Sequence, residues 1–354
     1  MAVDKQVGDQ MFREASRDMT ATFRNFAASS VVCFLTYYLE VLFGLGDIDL
    51  EWIKSMVTRK LEICPDGAFD LMFAARYYQI TGDNSKAIEH FERSIVVQSE
   101  FVQQHNAARW DLLWCHAMNC DWSKAADIAA NLRDNCKWSP ATNAYQYACF
   151  LLMMVDTESR SDLLPEVQRA MASVHELRTR YGGKTLPPEK FAITMAQRYC
   201  DSNDDSRPQL PALMLFYIWN VFANCADNPE LMTPFINIVT SRLANINSTS
   251  DQFYVLMLIK GVCLRNSREP EKALFAFETI MESEDSIEID TYVAPHAAME
   301  RGLTLIDLGR HDEAKYWLER ARDKYSKFLI ETIVHLRIHG ALQKLDRLMK
   351  SDNN

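Results

Sequence analysis

Glycine and proline are scarce, with 11 of each in 354 residues. A large β protein needs more turn-forming residues than that, so the scarcity argues against one. Positive charge is also in short supply. Lys and Arg number 38 against 48 Asp and Glu, a net charge of −10. The basic excess that marks a phosphate-binding surface is missing, so nucleic acid is not an expected partner. No long apolar run is free of charge. The nearest, Ser29 to Gly46, carries Glu40 in its middle. A charge at mid-bilayer costs about 2.5–3.5 kcal/mol on insertion scales, so this stretch is expected to be a buried helix and not an integral membrane span. The polar start, MAVDKQVGDQMFREASRDM, has no apolar core of a secretory signal. The nine cysteines are odd in number and irregular in spacing. They read as buried thiols in a reducing compartment, which points to the cytoplasm, with the nucleus or a lipid-droplet surface as other locations. On that reading the sequon at Asn247 is incidental.

Catalytic signatures are missing too. There is no G-x-S-x-G, no H-E-x-x-H and no elbow-like turn. Gly183-Lys184-Thr185 invites a phosphate-loop reading. The position where that motif needs its first glycine is Arg178, a helix is expected before the loop, and Pro187-Pro188 interrupts any helix directly after it. His105, Cys115, His116 and Cys120 form a His/Cys cluster, but the cysteine pair lacks the second C-x-x-C of a structural zinc site. Glu282, Glu284 and Asp285 read as solvated loop charge. No enzyme, cofactor or metal is expected.

What is abundant is helix-forming residues, arranged in a repeat. In LMFAARYYQITGDNSKAIEHFERSIVVQ, Leu71, Ala74, Ala75 and Tyr78 share one helix face. Gly82-Asp83-Asn84 makes a turn, and Ala87, Phe91 and Ser94 face inward on a second helix. The same order returns as Gly302, Leu305, Gly309, Ala314, Leu318 and Ala321, and again as Gly261, Leu264, Ala273, Phe277 and Ile280. A degenerate copy runs from Arg109 to Leu132. This is the tetratricopeptide layout, in which small residues let paired helices approach and each pair buries its apolar face only against its neighbours. The expected fold is an all-α, tetratricopeptide-like α-solenoid of stacked antiparallel helix pairs. Trp114, Trp122, Trp138 and Trp219 are expected as core anchors. A polar break at Asp156 to Ser161 precedes a helix to about Tyr181. Two Gly and two Pro then make Gly182 to Phe191 non-helical. The expected organisation is a polar N-terminal segment over 1–28, a first repeat block over 29–155, connecting helices with the Gly/Pro loop over 156–209, a second block over 210–345 and a polar tail over 346–354.

The stretch GGKTLPPEKFAITMAQRY, Gly182 to Tyr199, resembles the signature of the tetratricopeptide repeat protein 39 family, which includes the fungal inclusion body clearance protein. DWSKAADIAANLRDNCKWSPATNAYQYACFLL, LPALMLFYIWNVF and YVAPHAAMERGLTLIDLGRHDEAKYWLERARDKY resemble it as well. The likeness covers roughly residues 30 to 345. It implies a non-catalytic α-solenoid acting through protein–protein contacts, with links to inclusion-body clearance, lipid homeostasis and the stability of a lipid-sensing nuclear receptor. It also implies that the chain starts near the family's middle and lacks the usual N-terminal half, as a short isoform, a diverged member or an incomplete gene model.

The function expected from all this is a cytoplasmic scaffold or adaptor whose concave surface binds other proteins. Repeat position nominates Phe69, Arg76 and Gln79 in the first block and Arg265 and Asn266 in the second. Lys184 and Lys190 are nominated on the Gly/Pro loop, where Leu186 and Phe191 are expected to plug the junction between blocks. Some tetratricopeptide proteins hold chaperone tails with a Lys/Asn/Arg clamp. The early groove positions here, Met72 and Arg76 and then His296 and Glu300, do not match it. A second reading is peripheral lipid association through the amphipathic start, Met11 to Phe26.

Overall fold

The computed structural model of the protein describes residues 49–180, 182–183, 185–202 and 206–351, together with 10–11, 13–15 and 44. The span Ser29–Gly46, apart from Gly44, most of the amphipathic start, Cys33 and Lys184 lie outside the described residues. No strand occurs among the described residues. No described helix is long and apolar enough to cross a membrane.

The helices, in chain order, are α1 (Leu50–Ile63), α2 (Ala68–Ile80), α3 (Asn84–Val96), α4 (Val102–Met118), α5 (Trp122–Asn135), α6 (Pro140–Glu158), α7 (Leu164–Ser173) and α8 (Pro187–Asp201). They continue as α9 (Pro211–Ile218), α10 (Pro229–Leu243), α11 (Asp251–Asn266), α12 (Pro270–Glu282), α13 (Val293–Asp307), α14 (His311–Asp323) and α15 (Glu331–Ser351). Consecutive helices pack against each other through α2–α7 and again through α10–α15. The first helices of successive pairs also touch, as α2 with α4, α11 with α13 and α13 with α15. The layer of first helices is therefore continuous from α2 to α4 and from α11 to α15.

The turns inside the pairs share one geometry. Gly82, Cys120, Arg268 and Gly309 all have left-handed backbone. The N–H of the residue after each donates to a carbonyl five positions back: Asp83 to Tyr78 at 2.9 Å, Asp121 to His116 at 2.9 Å, Glu269 to Leu264 at 3.0 Å and Arg310 to Leu305 at 2.9 Å. This closure ends the first helix and satisfies its last carbonyls. Asp83 and Asp121 then cap the second helix, their side chains accepting from the N–H of Lys86 and Lys124. Within each pair a small residue permits close approach. A Cβ at Gly261 would stand 2.4 Å from the Phe277 ring, and one at Gly302 would stand 2.7 Å from Leu318.

The chain also folds back on itself. Helix α9 packs against α6, and the short 3₁₀ turn Val221–Cys225 lies against α2. Asn228 Nδ2 donates to the Gly82 carbonyl at 3.0 Å, across 146 residues. Phe216 of α9 fills the space among Trp114 (5.6 Å between ring centroids), Trp122 and Phe235 (5.0 Å). The inner face of the first helix pairs is thus occupied by the protein itself.

Several expectations change here. Trp114, Trp122 and Trp219 are buried, but Trp138 is 45% exposed on the α5–α6 loop. Pro187 and Pro188 do not interrupt a helix. They occupy the first turn of α8, where a missing N–H costs nothing. The helix expected to reach Tyr181 ends at Ser173. Phe191 is 1% exposed and sits between Tyr145 of α6 and Tyr292 before α13.

Candidate functional site

In the first repeat the nominated polar residues lie beneath the surface. Arg76 pairs with Asp111 of α4, and both are buried. Gln79 is fully buried. It accepts from Arg76 and donates to the Asp111 carbonyl at 3.2 Å and to Cys115 Sγ at 3.1 Å. Asn84 donates to the Cys115 carbonyl and to Asn119, both at 2.7 Å. These groups fasten α2 and α3 to α4. Sequence spacing nominated Arg76 and Gln79 for a groove, but it does not reveal that both turn to α4 and are buried.

The second block presents a more open surface. The ends of α11, α13 and α15 surround a cavity of about 200 Å³. Its floor is Glu300 of α13, 1% exposed. Arg265 of α11 approaches one carboxylate oxygen at 3.1 Å, and Arg337 of α15 approaches the other at 3.8 Å. Arg265 also lies 3.6 Å from Asp307 at the rim. Arg337 sits over the Tyr217 ring, 5.5 Å from its centroid. Lys344 and Arg347, one turn apart on α15, line the outer wall with Asn266. Four cationic side chains and two carboxylates therefore line this cavity, in a chain of net −10.

Spacing nominated Arg265 and Asn266, and the structure brings both to this cavity. It missed Arg337, Lys344 and Arg347, because α15 follows the last recognisable repeat and carries no repeat signature of its own. Asn266 spends its amide N–H on the Val262 carbonyl at 2.9 Å and is half-buried. Phe69 is half-buried, with its ring 6.2 Å from that of the exposed Phe101. Lys190 is exposed on α8, far along the chain from this cavity, and Lys184 lies outside the described residues.

The remaining chemically suggestive residues serve packing. Among the described residues no His, Cys, Asp and Glu group is placed to hold a metal ion. Burial pushes the Cys115 thiol up, and the Cys120 thiol up to about 11, away from the reactive thiolate. His105 Nε2 lies 2.8 Å from the Gln98 carbonyl. His296 is buried, with Nδ1 2.8 Å from the Tyr217 hydroxyl and Nε2 3.3 Å from the Leu329 carbonyl. Burial pushes its imidazole down to about 3. Glu284 is not a solvated loop acid. It is mostly covered and takes contacts from Lys324, Tyr325 and Arg320, which outweigh burial and hold its carboxyl below the usual range.

The family model of Iml2/tetratricopeptide repeat protein 39 matches residues 3–267. The chain is 30% identical over 335 residues to tetratricopeptide repeat protein ttc-39B of Caenorhabditis elegans, covering 92% of this chain and 56% of that one. It thus spans about half the length of that relative. Among solved structures, the tetratricopeptide domain of P58(IPK) is 13% identical, with coverage of 98% of this chain and 99% of that one. Its TM-score of 0.29 is too low to bear on the fold, which rests on the helix pairs themselves. The chain belongs to the Iml2/tetratricopeptide repeat protein 39 family.

Proposed function

We propose that this protein is a non-enzymatic interaction scaffold whose cavity at the ends of α11, α13 and α15 receives an acidic segment of a partner protein. One observation carries the reading: Arg265, Arg337, Lys344 and Arg347 converge on one open cavity of an acidic protein. Glu300 stands between the guanidiniums of Arg265 and Arg337, and the reading assigns the partner contact to Lys344 and Arg347, one turn apart on α15. Such rim charges steer encounters and set partner choice more than they add affinity. The setting we assign is the cytoplasm, in lipid homeostasis or inclusion-body clearance, and it rests on the family alone. Peripheral lipid association has no described surface in its support, since of Met11 to Phe26 only Met11 and Arg13 to Ala15 are described, and Arg13 pairs with Asp49 at 2.7 Å.

The test is fluorescence anisotropy with a labelled peptide of alternating Glu and Leu. Binding is expected to weaken with added salt, because exposed charges are screened over about 10 Å at 0.1 M. The double variant Lys344→Glu with Arg347→Glu is expected to abolish it. Equal binding by the double variant would contradict the proposal.

A further inference from the structure

Each repeat of a helical array contacts its neighbours in sequence, so an array bends by small turns between repeats. This chain carries a run of side-chain bonds that skips that order. Asp290, in the loop between α12 and α13, has a side chain with no exposed surface. Arg198 of α8 holds its carboxylate with both terminal nitrogens, Nη1 on Oδ1 and Nη2 on Oδ2, the latter at 2.8 Å. Gln252 Nε2 of α11 donates to the same Oδ2 at 2.7 Å. The backbone N–H of Asp290 donates to Asp251 at 2.7 Å, which holds this loop on the start of α11. Gln252 Oε1 in turn accepts from the Gln209 N–H at 2.6 Å, and Gln209 Oε1 accepts from Arg242 of α10 at 2.6 Å. Arg242 Nη2 lies 2.8 Å from Asp156, near the end of α6.

The two ends of this relay are on one side of the joint between the repeat blocks, and its middle is on the other. Asp156 stands on α6, and Arg198 stands on α8, which packs on α6 and α7. Arg242, Gln252 and Asp290 belong to the second block. The helices themselves join the blocks elsewhere, through α9, which packs on both α6 and α11. The relay is therefore a separate tie across the same joint, and two separate ties oppose rotation about either one. Its charges are poorly explained by stability. Apolar side chains of similar volume often serve as well as a buried ion pair, because desolvation offsets the attraction. What the charges add is direction. A bidentate guanidinium–carboxylate pair is planar and demands one geometry. The neighbouring contact of α8 with the second block, Phe191 on Tyr292 at 6.2 Å between ring centroids, has no such demand. Asp290 and Gln252 are both buried, so a bond broken there leaves a polar group without water to replace its partner.

We propose that the relay from Asp156 through Arg242, Gln209, Gln252 and Asp290 to Arg198 is an orientation lock. It holds the two repeat blocks at one angle, and a break in it lets them turn about α9 while each stays folded. The lock acts on the joint and is independent of what the cationic cavity binds.

The distance between the blocks is read by double electron–electron resonance. Nitroxides are carried on p-acetylphenylalanine at Val96 of α3 and at Phe275 of α12, both exposed positions. The wild type is expected to give one narrow distribution. Arg242→Met keeps an apolar stem at a partly exposed position and removes both bonds of Arg242. It is expected to keep the wild-type melting temperature and to at least double the width of the distribution. Arg198→Met with Asp290→Leu replaces the buried pair with apolar side chains and is expected to fold with the same broadening. Lys190→Ala, exposed on α8, is expected to leave the distribution narrow. A wild-type distribution in folded Arg242→Met would overturn the proposal, and this variant decides alone where the double variant does not fold. A broad distribution in the wild type or in Lys190→Ala would overturn it as well.

Discussion

At the scale of single residues, the fold depends on atoms that are missing and charges that are covered. Gly261 has no Cβ, and a methyl there would stand 2.4 Å from the Phe277 ring. Alanine is the better helix former by about 1 kcal/mol, so propensity alone would favour Gly261→Ala. Overpacking wins, because an insertion into a filled interior costs about 1–3 kcal/mol. Gly261→Ala is therefore expected to lower the chemical-denaturation stability. Adding Phe277→Leu is expected to recover part of the loss, and an unchanged midpoint would show that the helices are not in contact there. His296 makes a prediction about acid. Its imidazole is neutral when folded down to about pH 3 but takes a proton near 6.5 when unfolded. Between those values the unfolded state holds the extra proton, so stability falls as pH falls, by up to about 1.4 kcal/mol per unit from this residue. His116, also held down by burial, adds to the trend in the same direction. His296→Gln is expected to flatten the loss measured by urea unfolding from pH 7 to 4.5. Identical slopes would mean that His296 is not a buried neutral base.

At the scale of elements, the repeat is a turn geometry more than a composition. Gly82 and Gly309 announce their left-handed turns, and those two repeats are legible in the sequence for that reason. Cys120 and Arg268 adopt the same conformation without announcing it. A side chain in that region costs about 1–2 kcal/mol, less the entropy that glycine loses on folding. Arg268→Gly is expected to raise stability by about 0.5–1 kcal/mol, since the ion pair it gives up with Asp227 is exposed at both ends and worth little. A lowered melting temperature would show that the Arg268 backbone is not strained. Helix α8 makes the other case. Its two prolines looked like a break in the sequence and are in fact its first turn. Phe191, expected as a plug, is one, since its ring lies between those of Tyr145 and Tyr292. Phe191→Ala is expected to cost about 3–5 kcal/mol, while exposed Lys190→Ala stays within about 0.5 kcal/mol. Equal effects of the two would place Phe191 outside the core.

At the scale of the whole molecule, what the sequence hid was the return of the chain onto itself. Helical spacing shows which residues of α2 point inward but not what they meet. The answer lies 146 residues away, where Asn228 reaches Gly82 and the Val221–Cys225 turn lies against α2. Arg76 and Gln79 became internal struts for a nearer reason, since Asp111 and Cys115 of the neighbouring α4 engage them, and Trp138, expected inside, is exposed on the α5–α6 loop. Arg265 and Asn266, nominated by spacing, line a cavity of the second block, and the cationic residues of α15 that also line it carry no repeat signature. The long-range pair of Arg198 with the fully buried Asp290, joined by Gln252 at 2.7 Å, ties α8 to the entry of α13.

The central claim is that this family member works by holding another protein at the cationic cavity of α11, α13 and α15. The measurement that tests it most directly is affinity capture of the tagged chain from cells, read by quantitative mass spectrometry, with the double variant Lys344→Glu, Arg347→Glu alongside. The account predicts that the variant melts as the wild type does and loses the captured partners. A folded variant that retains the same partners would contradict it.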